Sequence, residues 1–230
     1  MTSSSTYSFS LTNGEAVISA FERLQIRLPS IRQEHMRTAR NEMNFLFSDW
    51  ANRGVNLWKI ELIPITLVSG TATYSIPARV VMIVDAYLTL NNGLTNQTDR
   101  YITPISRTDY ASFAAKNTAG PPTVYWFDRL ISPTLTTWPV TDSSGPYVLN
   151  YYAWSQMQDA ALTSGETPDV PYLWTDALVA GLAHRLARTY APQLEAQRKA
   201  DAQEAWTTAA TQNIEGVPIR ISPNLGRYYR

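Results

Sequence analysis

The chain has 230 residues, 44% of them hydrophobic and 17% charged, with 19 basic side chains balanced by 19 acidic ones. That length allows one large domain or two small ones. A net charge of zero removes any whole-chain argument for binding nucleic acid or a membrane, and the lack of cysteine excludes disulfides, thiol nucleophiles and thiolate metal sites.

Residues 1–12 read as a flexible Ser/Thr-rich arm, without the basic region and apolar run of a secretory signal. Thr12-Asn13-Gly14-Glu15 has the form of a capping box, in which Thr and Glu satisfy each other's free amides. The helix it opens carries Val17, Ala20, Phe21, Leu24 and Leu28 on one face, and Pro29 is expected to end it. Ser30-Ile31-Arg32-Gln33 reads as a second box. It opens a helix whose Ala39, Met43, Leu46, Phe47 and Trp50 recur at i, i+4, i+7, i+8 and i+11, a single stripe. Arg53 near the carbonyl end and Gly54 as a left-handed cap close it. The two helices make an αα-hairpin.

Beyond Leu57-Trp58 the period changes from helical to extended. Ile60, Leu62, Ile65, Leu67, Tyr74 and Ile76 read as strand, broken at Ser69-Gly70. Val80 to Leu90 is the clearest strand, followed by the hairpin signal Asn91-Asn92-Gly93. Its apolar run Val80 to Val84 ends at Asp85, far too short to span a bilayer. Ser106-Arg107-Thr108-Asp109 caps a short helix to about Lys116, and Gly120-Pro121-Pro122 forces a turn. Thr123 to Phe127, Ser132 to Trp138 and Tyr147 to Ala153 are three more strands. Their links are short, so the sheet should be mostly antiparallel.

Thr163 to Pro171 leads back into helix. Trp174, Leu178, Leu182 and Leu186 repeat every fourth residue among small neighbours, the pattern of a packed interior helix. Pro192 interrupts it. Pro192 to Asn213 then predicts a rod of roughly 30 Å with only a narrow alanine-and-Trp stripe. Such a helix is half-exposed or packs on a neighbouring subunit. From Ile214 to Arg230 the helical period is lost.

The fold class is therefore α+β. A four-helix body (residues 13–58 and 171–213) carries an inserted antiparallel β-rich domain (residues 59–170). An extended tail (residues 214–230) follows. Trp50, Gly54 and Trp58 mark the junction at which body gives way to insertion.

The residues offer little chemistry. His35 and His184 are the only histidines, each read as structural or surface, and no HExxH, GxSxG, Ca²⁺ loop or phosphate-binding loop occurs. No cofactor, metal or catalytic residue is assigned. Glu42, Asp49, Glu61, Asp85 and Asp109 could in principle supply the two carboxylates of a glycan hydrolase, and nothing in the sequence selects a pair. Trp126, Trp138 and Trp154 could stack on sugars in a carbohydrate-binding module, or be buried by strand alternation. Two basic clusters, Arg32, Arg37, Arg40 and Arg185, Arg188, Arg198, Lys199, read as solvated helix surface or as strips facing phosphate or an acidic partner. The 7 Trp and 13 Tyr suit either an aromatic β core or surface buried between subunits.

In order along the chain, FLFSDWANRGVNLWKIE (Phe45 to Glu61), GTATYSIPARVVMIVDAYL (Gly70 to Leu88), GPPTVYWF (Gly120 to Phe127), LTTWPVTD (Leu135 to Asp142) and the Ala-rich closing helices resemble the head-to-tail adaptors of tailed bacteriophages. The likeness is greatest to the connector, or tail-tubular-protein-A-like, proteins of short-tailed phages. It covers most of the chain through the order of these segments. It implies a non-enzymatic virion protein at the head–tail junction, assembled in the bacterial cytoplasm as a homo-oligomeric ring, commonly of twelve copies. Such a ring sits beneath the portal protein, extends the DNA channel and carries a tail nozzle, tube or fibre protein. Non-specific contact with DNA in the lumen is compatible with that arrangement; contact with a membrane is not expected. In such proteins a C-terminal extension often engages the portal. The matching positions here include Arg220, Asn224, Arg227, Tyr228, Tyr229 and Arg230.

Overall fold

The computed structural model describes residues 5–7, 9–54, 56–161 and 165–214. The candidate tail positions from Arg220 to Arg230 lie outside the described residues, as do parts of the expected arm and the start of the linker back into helix.

The first helix, α1 (Asn13–Arg23), begins with the predicted reciprocal box. Thr12 Oγ accepts the Glu15 N–H at 3.2 Å, and Glu15 Oε2 accepts the Thr12 N–H at 2.9 Å. Ala16, Val17, Ala20 and Phe21 are buried, as the spacing requires. The helix stops earlier than Pro29. Gln25 takes φ +64°, and Leu28 stands 56% exposed in a 3-10 turn rather than on the apolar stripe. A left-handed residue breaks the i→i−4 ladder before proline can.

The second helix, α2 (Gln33–Arg53), buries all five stripe residues. Ser30 does not cap it. The cap lies two residues further on: His35 Nδ1 accepts the Arg32 N–H at 3.0 Å, while the Ser30 N–H donates to Arg27 O in the preceding 3-10 turn.

Beyond α2 the strands are β1 (Ile60–Thr66), β2 (Thr73–Ser75), β3 (Val80–Leu90), β4 (Thr98–Tyr101) and β5 (Thr103–Pro104). The short helix α3 (Arg107–Ser112) ends one turn before Lys116, and β6 (Val124–Asp128), β7 (Thr134–Trp138) and β8 (Tyr147–Ser155) follow. These strands form two sheets, ordered β1-β8-β3-β4 and β2-β7-β6-β5. All pairings are antiparallel except β5 with β6, whose crossover runs through α3. The hairpin signal joins β3 to β4, with Asn91 at φ +56° and Gly93 at φ +79°. Leu88, Leu149 and Tyr151 from one sheet and Tyr125 and Leu135 from the other share a single core.

The third long helix, α4 (Thr175–Tyr190), packs against α1, α2 and α5 (Glu195–Ala210). Its fourfold repeat, Trp174, Leu178, Leu182 and Leu186, is entirely buried. Gly181 allows close approach to α2, because a Cβ there would lie 3.0 Å from a Leu46 methyl. On α5 only Ala209 is buried. It is shorter than the predicted rod, because Pro192–Leu194 forms a 3-10 turn before it.

The helices have a core of their own, which also takes Met157 and Ala160 from the segment returning from β8. Two asparagines hold that segment. The Asn44 side chain exchanges hydrogen bonds with Ala160 N–H and C=O, and Asn13 Nδ2 donates to Ala161 O at 2.7 Å.

Candidate interface surfaces around the helix–sheet junction

The helical stripe of α2 ends at Trp50, and Gly54 follows at φ +146°, ψ −179°. This is not the left-handed cap the sequence suggested but a more extended conformation open essentially to glycine. A Cβ at Gly54 would meet nothing within 4 Å, so the requirement is one of backbone, not space. The chain then makes a 3-10 turn, Leu57–Lys59, that presents Trp58.

Trp50 and Trp58 both pack on Trp174. Its ring lies 5.2 Å from that of Trp50 and 4.8 Å from that of Trp58. The residue that knits helix end to sheet start therefore comes from the far side of the sequence, from the 3-10 turn opening α4. Trp174 was legible as part of the α4 stripe, but its role between the other two was not.

Three more contacts secure the same place. Asn213 Oδ1 accepts the Leu57 N–H at 3.0 Å. The Arg53 guanidinium lies over the Trp206 ring at 4.9 Å. Lys59 Nζ meets Asp169 Oδ2 at 2.7 Å, and Asp169 also accepts the Gln158 N–H, so the chain entering the sheets is tied to the chain leaving them. Between these groups lies a cleft of about 130 Å³, lined by Trp50, Gly54, Trp174, Trp206 and Asn213 among others. Asn56 and Trp58 each bury a side-chain N–H without a partner among the described residues. The last described residue, Ile214, is 71% exposed and follows Asn213, which lines this cleft. The C-terminal segment thus starts at the junction, a relationship the sequence did not reveal.

Along α2 and α4 the charges are largely internal. Arg185 reaches Glu42 at 3.6 Å and Asp49 at 3.8 Å, and Arg53 reaches Asp49 at 2.7 Å. His184 Nε2 lies 3.0 Å from Glu195 Oε1. Burial pushes the His184 imidazole below its ordinary range, and the Arg188 and Lys199 charges push the same way, while the Glu195 bond opposes them. Of the second basic cluster, Arg185 and Arg198 are paired within the helices rather than turned to a partner.

Four of the five candidate carboxylates are engaged by other protein groups. Glu42 and Asp49 serve Arg185. Glu61 is held by Arg79 at 2.9 and 3.3 Å and by Ser155 Oγ at 2.5 Å. Those bonds, Arg79 first, keep its carboxyl below the usual range. Asp109 caps α3, and its bonds to Ser106 lower it too. A glycosidase acid needs the opposite shift.

The tryptophans are not a free sugar platform either. Trp154 is buried, Trp126 is stacked by Tyr110 at 5.5 Å, and Trp138 is packed by Phe113 at 4.3 Å while its Nε1 donates to Ala115 O.

Exposed aromatic surface lies elsewhere. On the outer face of the first sheet Leu62 is opposite Tyr152 and Tyr87 opposite Tyr101, with the Tyr87 and Tyr152 rings 6.5 Å apart. Leu62, Tyr152 and Tyr101 are exposed there. The alternation Tyr151-in, Tyr152-out is the sequence signal for this face. Among the described residues no helix is long and apolar enough to cross a membrane.

One protein-family model, described as SU10 adaptor protein, matches residues 21–224. No curated protein matches the chain.

Proposed function

Since the chain belongs to the SU10 adaptor protein family, a family of phage head-to-tail adaptors, we propose that it is the structural adaptor of a virion's head–tail junction, forming a ring beneath the portal. The family is structural rather than enzymatic, and membership implies oligomerisation and association with portal and tail components. The match, from α1 into the C-terminal segment, is the observation that carries this reading.

In this reading the N- and C-terminal helix pairs (residues 13–58 and 171–213) build the ring. The β-rich insertion (residues 59–170) offers a platform to the tail nozzle, tube or fibre protein, and the ring, of about twelve copies, extends the DNA channel. The exposed Leu62–Tyr152 and Tyr87–Tyr101 face supports a protein-contacting role for the insertion, because such residues are favoured in interfaces. The tail, with Arg220, Asn224, Arg227, Tyr228, Tyr229 and Arg230, engages the portal. Its departure from a junction braced by three tryptophans supports this, since a docking arm needs a rigid base. A ring requires heterologous contacts that close on themselves.

The test is direct. Purified protein is mixed with portal rings and the particles are imaged by cryo-microscopy. A further ring of density below the portal is expected, and particles indistinguishable from portal alone would sink the proposal.

A further inference from the structure

α5 is the least embedded of the long helices, with Ala209 its only buried residue. It stands as a ridge on α4, with a groove along each flank. Helical spacing puts Lys199, Ala202 and Trp206 on one flank and Arg198, Asp201, Ala205 and Thr208 on the other. The crest between them carries exposed Ala196, Ala200 and Thr207, too short to shield either side.

The first groove, of about 220 Å³, is enclosed by α2, α4 and α5, with Asp49, Arg53, Arg185, Arg188, Lys199 and Trp206 in its wall. Asp49 is taken up by Arg53 and Arg185, and Glu195 bonds His184. Arg188 and Lys199 are exposed and meet no carboxylate among the described residues; Arg188 only approaches His184 Nε2, at 3.5 Å. This flank has cations to spare.

The second groove, of about 430 Å³, lies between α5, the end of α1 and the start of α4, with Arg23, Leu173, Asp176, Arg198, Asp201 and Glu204 in its wall. Arg23 pairs with Asp176 at 2.6 Å and Arg198 with Asp201 at 2.8 Å. In each pair the carboxylate is the outer member. The Asp176 and Asp201 side chains are 73% and 41% exposed, against 33% and 19% for Arg23 and Arg198. Glu204 is exposed and meets no cation among the described residues. This flank shows solvent its carboxylates, and exposed Leu173 adds apolar surface, as half-buried Trp206 does on the other side.

We propose that the two flanks of α5 are the two halves of the contact between neighbouring copies of this chain, the basic flank of one copy meeting the acidic flank of the next. Opposite charge on two different patches of one subunit is what a heterologous contact between identical copies requires. A nucleic acid would satisfy the basic flank alone and be repelled by the other. The inference rests on the ring reading and names the surfaces that meet.

The experiment loads the chain onto purified portal rings at low and physiological salt, read by sedimentation and cryo-microscopy. Wild type is compared with Arg188→Glu/Lys199→Glu, with Glu204→Lys, and with an equimolar mixture of the two variants. All three positions are exposed, and circular dichroism verifies each fold. The first variant has two acidic flanks and the second two basic ones. Each alone is expected to load about tenfold more weakly at low salt, with a deficit that shrinks as salt rises. Their mixture should load like wild type, because alternating copies again set opposite charges against each other. Full loading by each variant alone would overturn the proposal. So would two defective variants whose mixture stays defective, which would turn the flanks toward the portal or another component. A wild-type chain that adds no ring to the portal would remove the ring reading itself, an outcome distinct from the other two.

Discussion

Asn213 Oδ1 accepts the backbone N–H of Leu57 at 3.0 Å. A side chain just beyond α5 thereby satisfies a donor in the turn just beyond α2, across more than half the chain. The residue that precedes the C-terminal segment is thus part of the helix–sheet junction.

Replacing Asn213 with alanine strands the Leu57 amide. The expected cost is about 1 kcal/mol, with a drop of a few degrees in melting temperature. A thermal melt followed by circular dichroism checks it. An unchanged melting temperature would mean that water replaces the amide without loss.

Trp174 contacts Trp50 and Trp58 together, so Trp174→Ala opens a cavity between helix and sheet. A loss of about 3–5 kcal/mol is expected in urea unfolding, in the upper range for large-to-small core changes. Gly54→Ala tests the same place by backbone alone. There is room for the methyl, so a cost of about 1–3 kcal/mol would come entirely from φ +146°. A neutral Gly54→Ala would show that the turn relaxes.

Deleting residues 217–230 should weaken attachment to portal rings and leave helicity and melting temperature close to those of the full chain. Binding assays beside circular dichroism separate the two effects. A large loss of helicity would make the segment part of the fold instead of a docking arm.

His184 gives stability a pH dependence of definite sign. Its folded pKa is lowered, chiefly by burial, so between the folded and unfolded values the unfolded chain binds more protons. Its contribution is therefore full above about pH 6.5 and falls as the pH drops from there toward the folded value. His184→Gln should flatten urea midpoints across that window. A slope unchanged by the substitution would assign the pH dependence to other groups.

The helical parts were the most legible. The stripes of α2 and α4 and the Thr12 box depend on spacing within one or two turns, and the structure contains them. Leu28 misled because its spacing fits the α1 stripe, while Gln25 in a left-handed conformation turns the chain away before Leu28 is reached. The Ser30 box misled because Ser30 closes a 3-10 turn and its N–H donates to Arg27 O, so α2 begins two residues later, where His35 accepts the Arg32 amide. The strands were legible one by one, but β4 and β5 were too short to announce themselves, and nothing local distinguished one antiparallel sheet from two.

What the sequence determined by itself was which face of each element is apolar, since periodicity is a local property. It determined the α+β class and, through the order of its segments, the likeness to phage adaptors. What only the tertiary structure decided was what each face meets. Trp174 joins Trp50 to Trp58, and Asn213 ties Leu57. Those outcomes follow from long-range packing, where residues far apart in the chain compete for the same partners, and no spacing rule ranks such competitors.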